Sequence, residues 1–375
     1  MIKILFLISG LSAGGAEKVL RNLVNNFDQS KFDITVQTID EDNADKYLVK
    51  GIHYKAINRC KSRIGKKIFN IWFRITAELG LTYPLYIKDD YDIEVAYLEC
   101  GATKVLASST NKKAVKLAWV HCDLSKREST ARSIAKTLKY YRTYDKTVCV
   151  SEDVKAGFHK LYGDDISSVV LHNVIDEEEI INKASESIVW DTNSEEVQLL
   201  AVGRLTQQKN FAHLIETCYR LYKDGYKIKL YILGEGPERE SLEKLISDRY
   251  LKNVVELLGF KDNPYPYIKA ADFVVCSSRY EGISTVVTEA LVLGKPIITT
   301  PCTGMQELLG NSEYGMIAKD TPDGLYNCFK EIFESPELEK HYAQEAKKRG
   351  RDFYKGNVIK ETSDFFFSEL SKKEG

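Results

Sequence analysis

Short runs of β-branched and apolar residues alternate along the chain with longer stretches whose apolar positions recur every three to four residues. The first kind occupies residues 3–8, 32–38, 94–98, 118–120, 146–150 and 168–172. It returns at 197–202, 229–233, 254–257, 271–277 and 297–300. These continuous apolar runs predict strands buried on both faces. Between them, Ala16, Val19, Leu20, Leu23, Val24 and Phe27 mark one face of a helix, and Phe211, Leu214, Ile215 and Cys218 mark another. SEDVKAGFHKLYG, residues 151–163, is a third helix. Strands separated by helices predict parallel α/β sheets. A chain of 375 residues is long for one core and sufficient for two such domains.

The most informative stretch is ADFVVCSSRYEGISTVVTEALVLGKPIITTP, residues 271–301. A strand leads into a turn at Arg279, Tyr280, Glu281 and Gly282, and Ser284 or Thr285 can cap the helix that follows. Val286, Val287, Ala290, Leu291 and Leu293 fall at helical spacing. Gly294 ends the helix, Lys295 sits where its dipole favours a cation, and Pro296 prevents continuation. Such a unit puts its loop and helix N-terminus at the carboxyl edge of a parallel sheet, where open α/β folds bind ligands. Free N–H groups there suit a phosphate, and Glu281 and Glu289 suit sugar hydroxyls. A phosphate flanked by hydroxyl-rich groups is a nucleotide-sugar. The plainer alternative makes Glu281 a loop charge and Glu289 a solvated helix residue.

EGISTVVTE, placed after a strand and before GKPIITT, resembles the signature of the family 4 (group 1) retaining glycosyltransferases of GT-B fold, of the kind that assemble bacterial polysaccharides. Further stretches share the resemblance: GLSAGG at 10–15, AWVHCDLS at 118–125, LHNVID at 171–176, GRLTQQKN at 203–210 and GEGPERESLEKLI at 234–246. It implies two Rossmann-like domains facing each other across a cleft. An acceptor-binding domain would span 1–175, a nucleotide-sugar domain 176–352, and a helix over 353–375 would pack back on the first domain.

The resemblance makes Glu281 and His121 the catalytic residues. It assigns the donor to Gly14, Gly15, Arg204, Lys209, Gly234, Phe260, Lys261, Glu281, Gly282, Ile283, Ser284, Thr285, Val286 and Glu289. Arg204 and Lys209 also stand on their own chemistry, because two cations at a strand-to-helix turn can neutralise a diphosphate. Asp123 is a lesser candidate, either to orient His121 or to bind the acceptor. No metal or other cofactor is expected, since in the family the leaving phosphate itself takes the acceptor proton. Asp90-Tyr91-Asp92 has the DxD form of a metal site but sits just before a strand, where Asp commonly ends a loop. A UDP-sugar is the favoured donor.

Charge divides the chain. Up to Ile175 there are 27 Lys and Arg against 20 Asp and Glu, and beyond it 26 against 34. No basic stripe interleaved with stacking aromatics appears, so nucleic acid is excluded as a partner. RCKSRIGKKIFNIWFR, residues 59–74, instead combines six basic residues and no acid with an apolar face at 64, 68, 71, 72 and 75. That composition fits a helix lying on an anionic membrane surface, and equally one packing its apolar face on a sheet. With the basic first half, it points to a lipid-linked saccharide acceptor. The apolar run near the N-terminus covers only residues 4–8, too short for a signal peptide, and eight scattered cysteines show no metal-ligand spacing. The expectation is a cytoplasmic chain, peripheral on the inner face of the cell membrane. Two other classes would use a similar pocket: a nucleotide-sugar epimerase and a nucleotide-sugar-binding subunit without chemistry.

Overall fold

The computed structural model describes every residue except 12–13, 43, 127–130, 189–194 and 375. The chain divides into two compact units. The first comprises Met1–Val174 with Lys355–Gly375, and the second Ile175–Tyr354.

Unit 1 runs β1 (Ile2–Ile8), α1 (Gly15–Asn26), β2 (Phe32–Asp40), β3 (His53–Asn58), α2 (Arg63–Glu78), α3 (Thr82–Tyr86), β4 (Ile93–Ala96) and α4 (Gly101–Leu106). It continues with β5 (Val115–Val120), α5 (Ala131–Tyr141), β6 (Lys146–Cys149), α6 (Glu152–Tyr162) and β7 (Ser168–Val170). Its seven strands are parallel, in the order β3-β2-β1-β4-β5-β6-β7. The order reverses between β1 and β4, so the loops after these strands flank a switch point at the carboxyl edge. β3 was not anticipated, because HYKAIN is polar and only partly buried at the sheet's rim.

Unit 2 runs α7 (Glu177–Lys183), β8 (Val197–Val202), α8 (Phe211–Lys223), β9 (Ile228–Leu233), α9 (Arg239–Asp248), β10 (Val255–Gly259) and α10 (Tyr265–Ala270). Then follow β11 (Phe273–Cys276), α11 (Thr285–Val292), β12 (Ile297–Thr299), α12 (Met305–Leu309), β13 (Met316–Ile317), α13 (Gly324–Phe333) and α14 (Pro336–Gly350). The strand order β10-β9-β8-β11-β12-β13 puts a second switch point between β8 and β11. Its core gathers Leu199, Leu230, Phe273 and Ile298 from the strands and Leu214, Cys218 and Phe329 from the helices.

The tail departs from a single helix over 353–375. Asp352 lies in a 3-10 turn, Tyr354 is extended, and only then does α15 (Lys355–Glu374) begin. This helix belongs to unit 1. Of its three consecutive phenylalanines only Phe366 is fully buried, between Phe6, Phe27, Phe32 and Trp119. Three successive helical positions point in three directions, so one insertion per turn is what the geometry allows.

Candidate active site

In unit 2 the loops that follow β8 and β11 meet at the switch point. Gln208 donates its amide to the Tyr280 carbonyl at 2.9 Å, and the Arg279 N–H donates to the Gln208 carbonyl at 2.8 Å. The Ser277 hydroxyl donates to the Lys209 carbonyl at 2.8 Å. These bonds bring two of the predicted side chains together. The Lys209 ammonium donates to Glu281 Oε1 at 2.5 Å, and the Ser278 hydroxyl donates to the same oxygen at 2.6 Å. Burial is the largest single influence on Lys209 and would depress its pKa, but the charge and hydrogen bond of Glu281, together with Cys276 and Cys302, outweigh it, and the ammonium is held above its ordinary value.

Beside this cluster begins α11. Ser284 is its N-cap and accepts from the Val287 N–H at 3.5 Å, leaving the N–H groups of Thr285 and Val286 without acceptors inside the helix. Gly294, with φ 65°, closes the far end: its N–H reaches the Leu291 carbonyl and that of Lys295 the Ala290 carbonyl. Lys209, Ser277, Ser278, Ser284 and Val286 line one small cavity.

Glu289 is 3% exposed and accepts from the Tyr265 hydroxyl at 3.4 Å, which rules out the solvated-helix alternative. Arg204 stands exposed in the turn after β8, without an ion-pair partner among the described residues. Gly234, with φ 143°, lets the turn after β9 close on that turn: a Cβ there would lie 1.9 Å from the Gly203 carbonyl oxygen. Phe260, 65% exposed, and Lys261 follow β10, where the Lys261 ammonium lies 5.9 Å from the Tyr267 ring centre. Neither joins the Glu281 cluster. Ile283 is buried beneath the loop, and the Gly282 carbonyl packs against Gly304.

In unit 1, Gly14 precedes α1 at φ 132° and Gly15 is the helix's first residue. His121 directly follows β5. Its ring lies 4.7 Å from the ring of Tyr97, and its Nε2 is buried with no hydrogen-bond partner among the described residues. Burial lowers its pKa, against the pull of Glu99 and of a backbone hydrogen bond at Tyr97, so the imidazole is neutral. Glu99, rather than Asp123, meets the backbone here, accepting from the His121 N–H at 2.5 Å and the Cys122 N–H at 3.2 Å. Asp123 accepts from the Ser125 N–H and hydroxyl.

Sequence reasoning missed Glu99, Ser278, Gln208 and Tyr265. Gln208 and Ser278 stood in stretches singled out for other reasons; Glu99 and Tyr265 lie in a loop and at an element end, where no periodicity marks them. The Asp90-Tyr91-Asp92 tripeptide lies at the opposite end of the strands, and Asp92 accepts from the Lys3 N–H at 2.8 Å, the loop-ending role. Among the described residues no group of three or more His, Cys, Asp or Glu could hold a metal ion.

Residues 182–349, nearly all of unit 2, match the model of the glycosyl transferases group 1. Over that segment the chain is similar to the group 1 glycosyl transferases. The Lys209–Glu281–Ser278 cluster and the capped helix α11 all lie inside the matched residues. A Campylobacter jejuni relative, N-acetylgalactosamine-N,N'-diacetylbacillosaminyl-diphospho-undecaprenol 4-alpha-N-acetylgalactosaminyltransferase, is 36% identical over 194 residues. That match spans 51% of this chain and 51% of the relative, so about half the relative's length lies outside it. The amylovoran biosynthesis glycosyltransferase AmsD of Erwinia amylovora is 24% identical over 97% of this chain and 99% of its own. Among solved structures, Anabaena HepE in complex with UDP-glucose has a TM-score of 0.77 at 17% identity, covering 98% of this chain and 100% of that one. Sucrose-phosphate synthase of Thermosynechococcus elongatus scores 0.78 at 16%, over 99% and 100%. The fold is thus GT-B, with a parallel α/β sheet in each unit.

Proposed function

We propose that this chain is a retaining, metal-independent glycosyltransferase. It moves a sugar from a nucleoside diphosphate sugar to a saccharide carried on a lipid, in capsule, exopolysaccharide or lipopolysaccharide assembly. The observation that carries the reading is the buried Lys209–Glu281–Ser278 cluster beside the capped N-terminus of α11. A cation, an acceptor carboxylate and open N–H groups in one place are what a diphosphate bearing a sugar needs.

When the bond from the anomeric carbon to the diphosphate breaks, negative charge grows on the leaving phosphate. Stabilising that charge is the main demand on the protein. Within unit 2, Arg204, Lys209 and the N–H groups of Thr285 and Val286 would meet it. An ammonium has three protons to donate, so Lys209 can keep Glu281 and still serve a phosphate. Glu281 would accept from the donor sugar hydroxyls, and Glu289 from the ribose. The leaving phosphate would take the acceptor proton, so no side chain acts as the base. HepE, of the same fold, was solved with UDP-glucose, which supports a UDP-sugar donor. The name of the C. jejuni relative, which specifies a diphospho-undecaprenol, supports the lipid-linked acceptor.

The test is a thermal-shift and donor-hydrolysis screen of UDP- and GDP-sugars, with and without EDTA. One donor should stabilise the protein and be slowly hydrolysed whether or not EDTA is present. Glu281→Ala should lower that hydrolysis about a hundredfold. Loss of hydrolysis in EDTA would overturn metal independence, and an inverted anomer by NMR would overturn retention. Stabilisation without turnover, even with lipid-diphosphate saccharides supplied, would make this a binding subunit. Sugar released as an epimer would make it an epimerase.

A further inference from the structure

Helix α2 has two apolar faces, and only one of them is covered. Phe69 and Phe73 stack with ring centres 5.5 Å apart, Phe69 meets Tyr86 at 6.2 Å, and Thr76 and Ala77 are buried. These residues are the inner face. Ile64, Ile68, Ile71, Trp72, Ile75 and Leu79 form the outer one, and each is 48–73% exposed. Leu81 and Leu85 extend this exposed row into α3. The apolar stripe of a helix on a globular protein normally faces the core. Single exposed apolar residues are ordinary, but a contiguous row of this length is a contact surface.

The charges beside the row say what it contacts. Arg63, Lys67 and Arg74 fall on one flank at helical spacing, with Lys66 next to them and Arg59 and Lys61 just before the helix. None of these six forms an ion pair among the described residues. No acid occurs between 59 and 77, and Glu78 is already matched by Lys104 and Lys136. Branched aliphatics and a tryptophan bordered by unpaired cations suit the boundary between acyl chains and anionic headgroups. An acidic protein groove would satisfy the cations, but it would have to cover an apolar row about four helical turns long.

We infer that α2 lies flat on an anionic phospholipid bilayer, with Ile64, Ile68, Ile71, Trp72 and Ile75 entering the acyl boundary and the basic flank meeting headgroup phosphates. This deepens the acceptor part of the transferase reading, since a lipid-linked saccharide is met at such a surface.

The experiment is co-sedimentation of the full chain with vesicles of phosphatidylglycerol and phosphatidylcholine, against phosphatidylcholine alone. Binding is expected to the anionic vesicles and to weaken as salt rises. Ile68→Glu with Ile71→Glu should weaken it about tenfold or more, and Lys66→Glu with Lys67→Glu by a similar factor. All four side chains are exposed, so far-UV circular dichroism and donor hydrolysis in lipid-free solution should be unchanged. Equal recovery with and without anionic lipid would overturn the inference, as would full binding by both variant pairs. A dimer in light scattering that Ile68→Glu with Ile71→Glu dissolves, without lipid binding, would assign the face to a second copy instead. Hydrolysis in solution separates the two readings. A chain that turns over donor but ignores lipid overturns only the membrane surface; one that binds lipid but no donor overturns only the transferase.

Discussion

Glu94 is wholly buried in β4, and its Oε1 accepts from the Tyr83 hydroxyl at 2.5 Å. Burial pushes its pKa up, more than its hydrogen bonds and Lys116 pull it down. The folded state therefore holds the proton to higher pH than the unfolded chain does. That contribution to stability is complete below the ordinary carboxylate pKa and is lost as pH rises through the raised value. Glu94→Gln, neutral at every pH, is expected to melt above wild type in mildly alkaline buffer, by about 1–3 kcal/mol, with the gap closing toward acid pH. Equal melting temperatures across that range would show that the carboxyl carries no such penalty. Glu281 is the contrasting case. It is also buried, but it sits against the Lys209 ammonium, so removing Lys209 would strand a charge.

At the scale of elements, the 279–284 loop is held from behind. Gly304 has φ 81° and caps α12, and a Cβ there would lie 2.0 Å from the Gly282 carbonyl oxygen. Gly304→Ala should push the 279–284 loop outward, costing about 1–3 kcal/mol of stability and weakening the thermal shift by donor. An unchanged shift would mean that the loop tolerates the displacement. Apart from β3 and β13 at the rims, the strands of both sheets were legible because parallel strands buried on both faces need unbroken apolar runs; β8 falls on residues 197–202 as read. The Glu281 loop and α11 were legible because turn, cap, periodicity and stop agreed. Helix α2 was not fully legible. Apolar residues at 64, 68, 71 and 75 and at 69, 73 and 77 give two stripes at helical spacing, and which one faces inward is decided by the phenylalanine contacts with α3. Glu99 was invisible for another reason: its partners are backbone N–H groups, which every sequence has.

At the scale of the whole molecule, unit 2 is one continuous segment and unit 1 is not. Unit 1 is completed by α15, whose Phe366 is fully buried against Phe6, Phe27, Phe32 and Trp119. Ending the chain after Tyr354 should cost unit 1 at least the about 3–5 kcal/mol that removing one buried phenylalanine ring does. The core of unit 2 should keep its stability. Urea unfolding of the shortened chain, followed by circular dichroism, would then show an early transition and an unshifted later one. One coincident transition at the wild-type midpoint would show that α15 adds nothing to unit 1. The same discontinuity sets an order of events on the ribosome. The first 174 residues emerge without the helix that closes their core and must wait while the 180 residues of Ile175–Tyr354 are made. At ordinary translation rates that is a delay of about 10–40 s. During it the aromatic pocket for Phe366 stays open and unit 2 can fold to completion, so the half of the molecule that begins first is finished last.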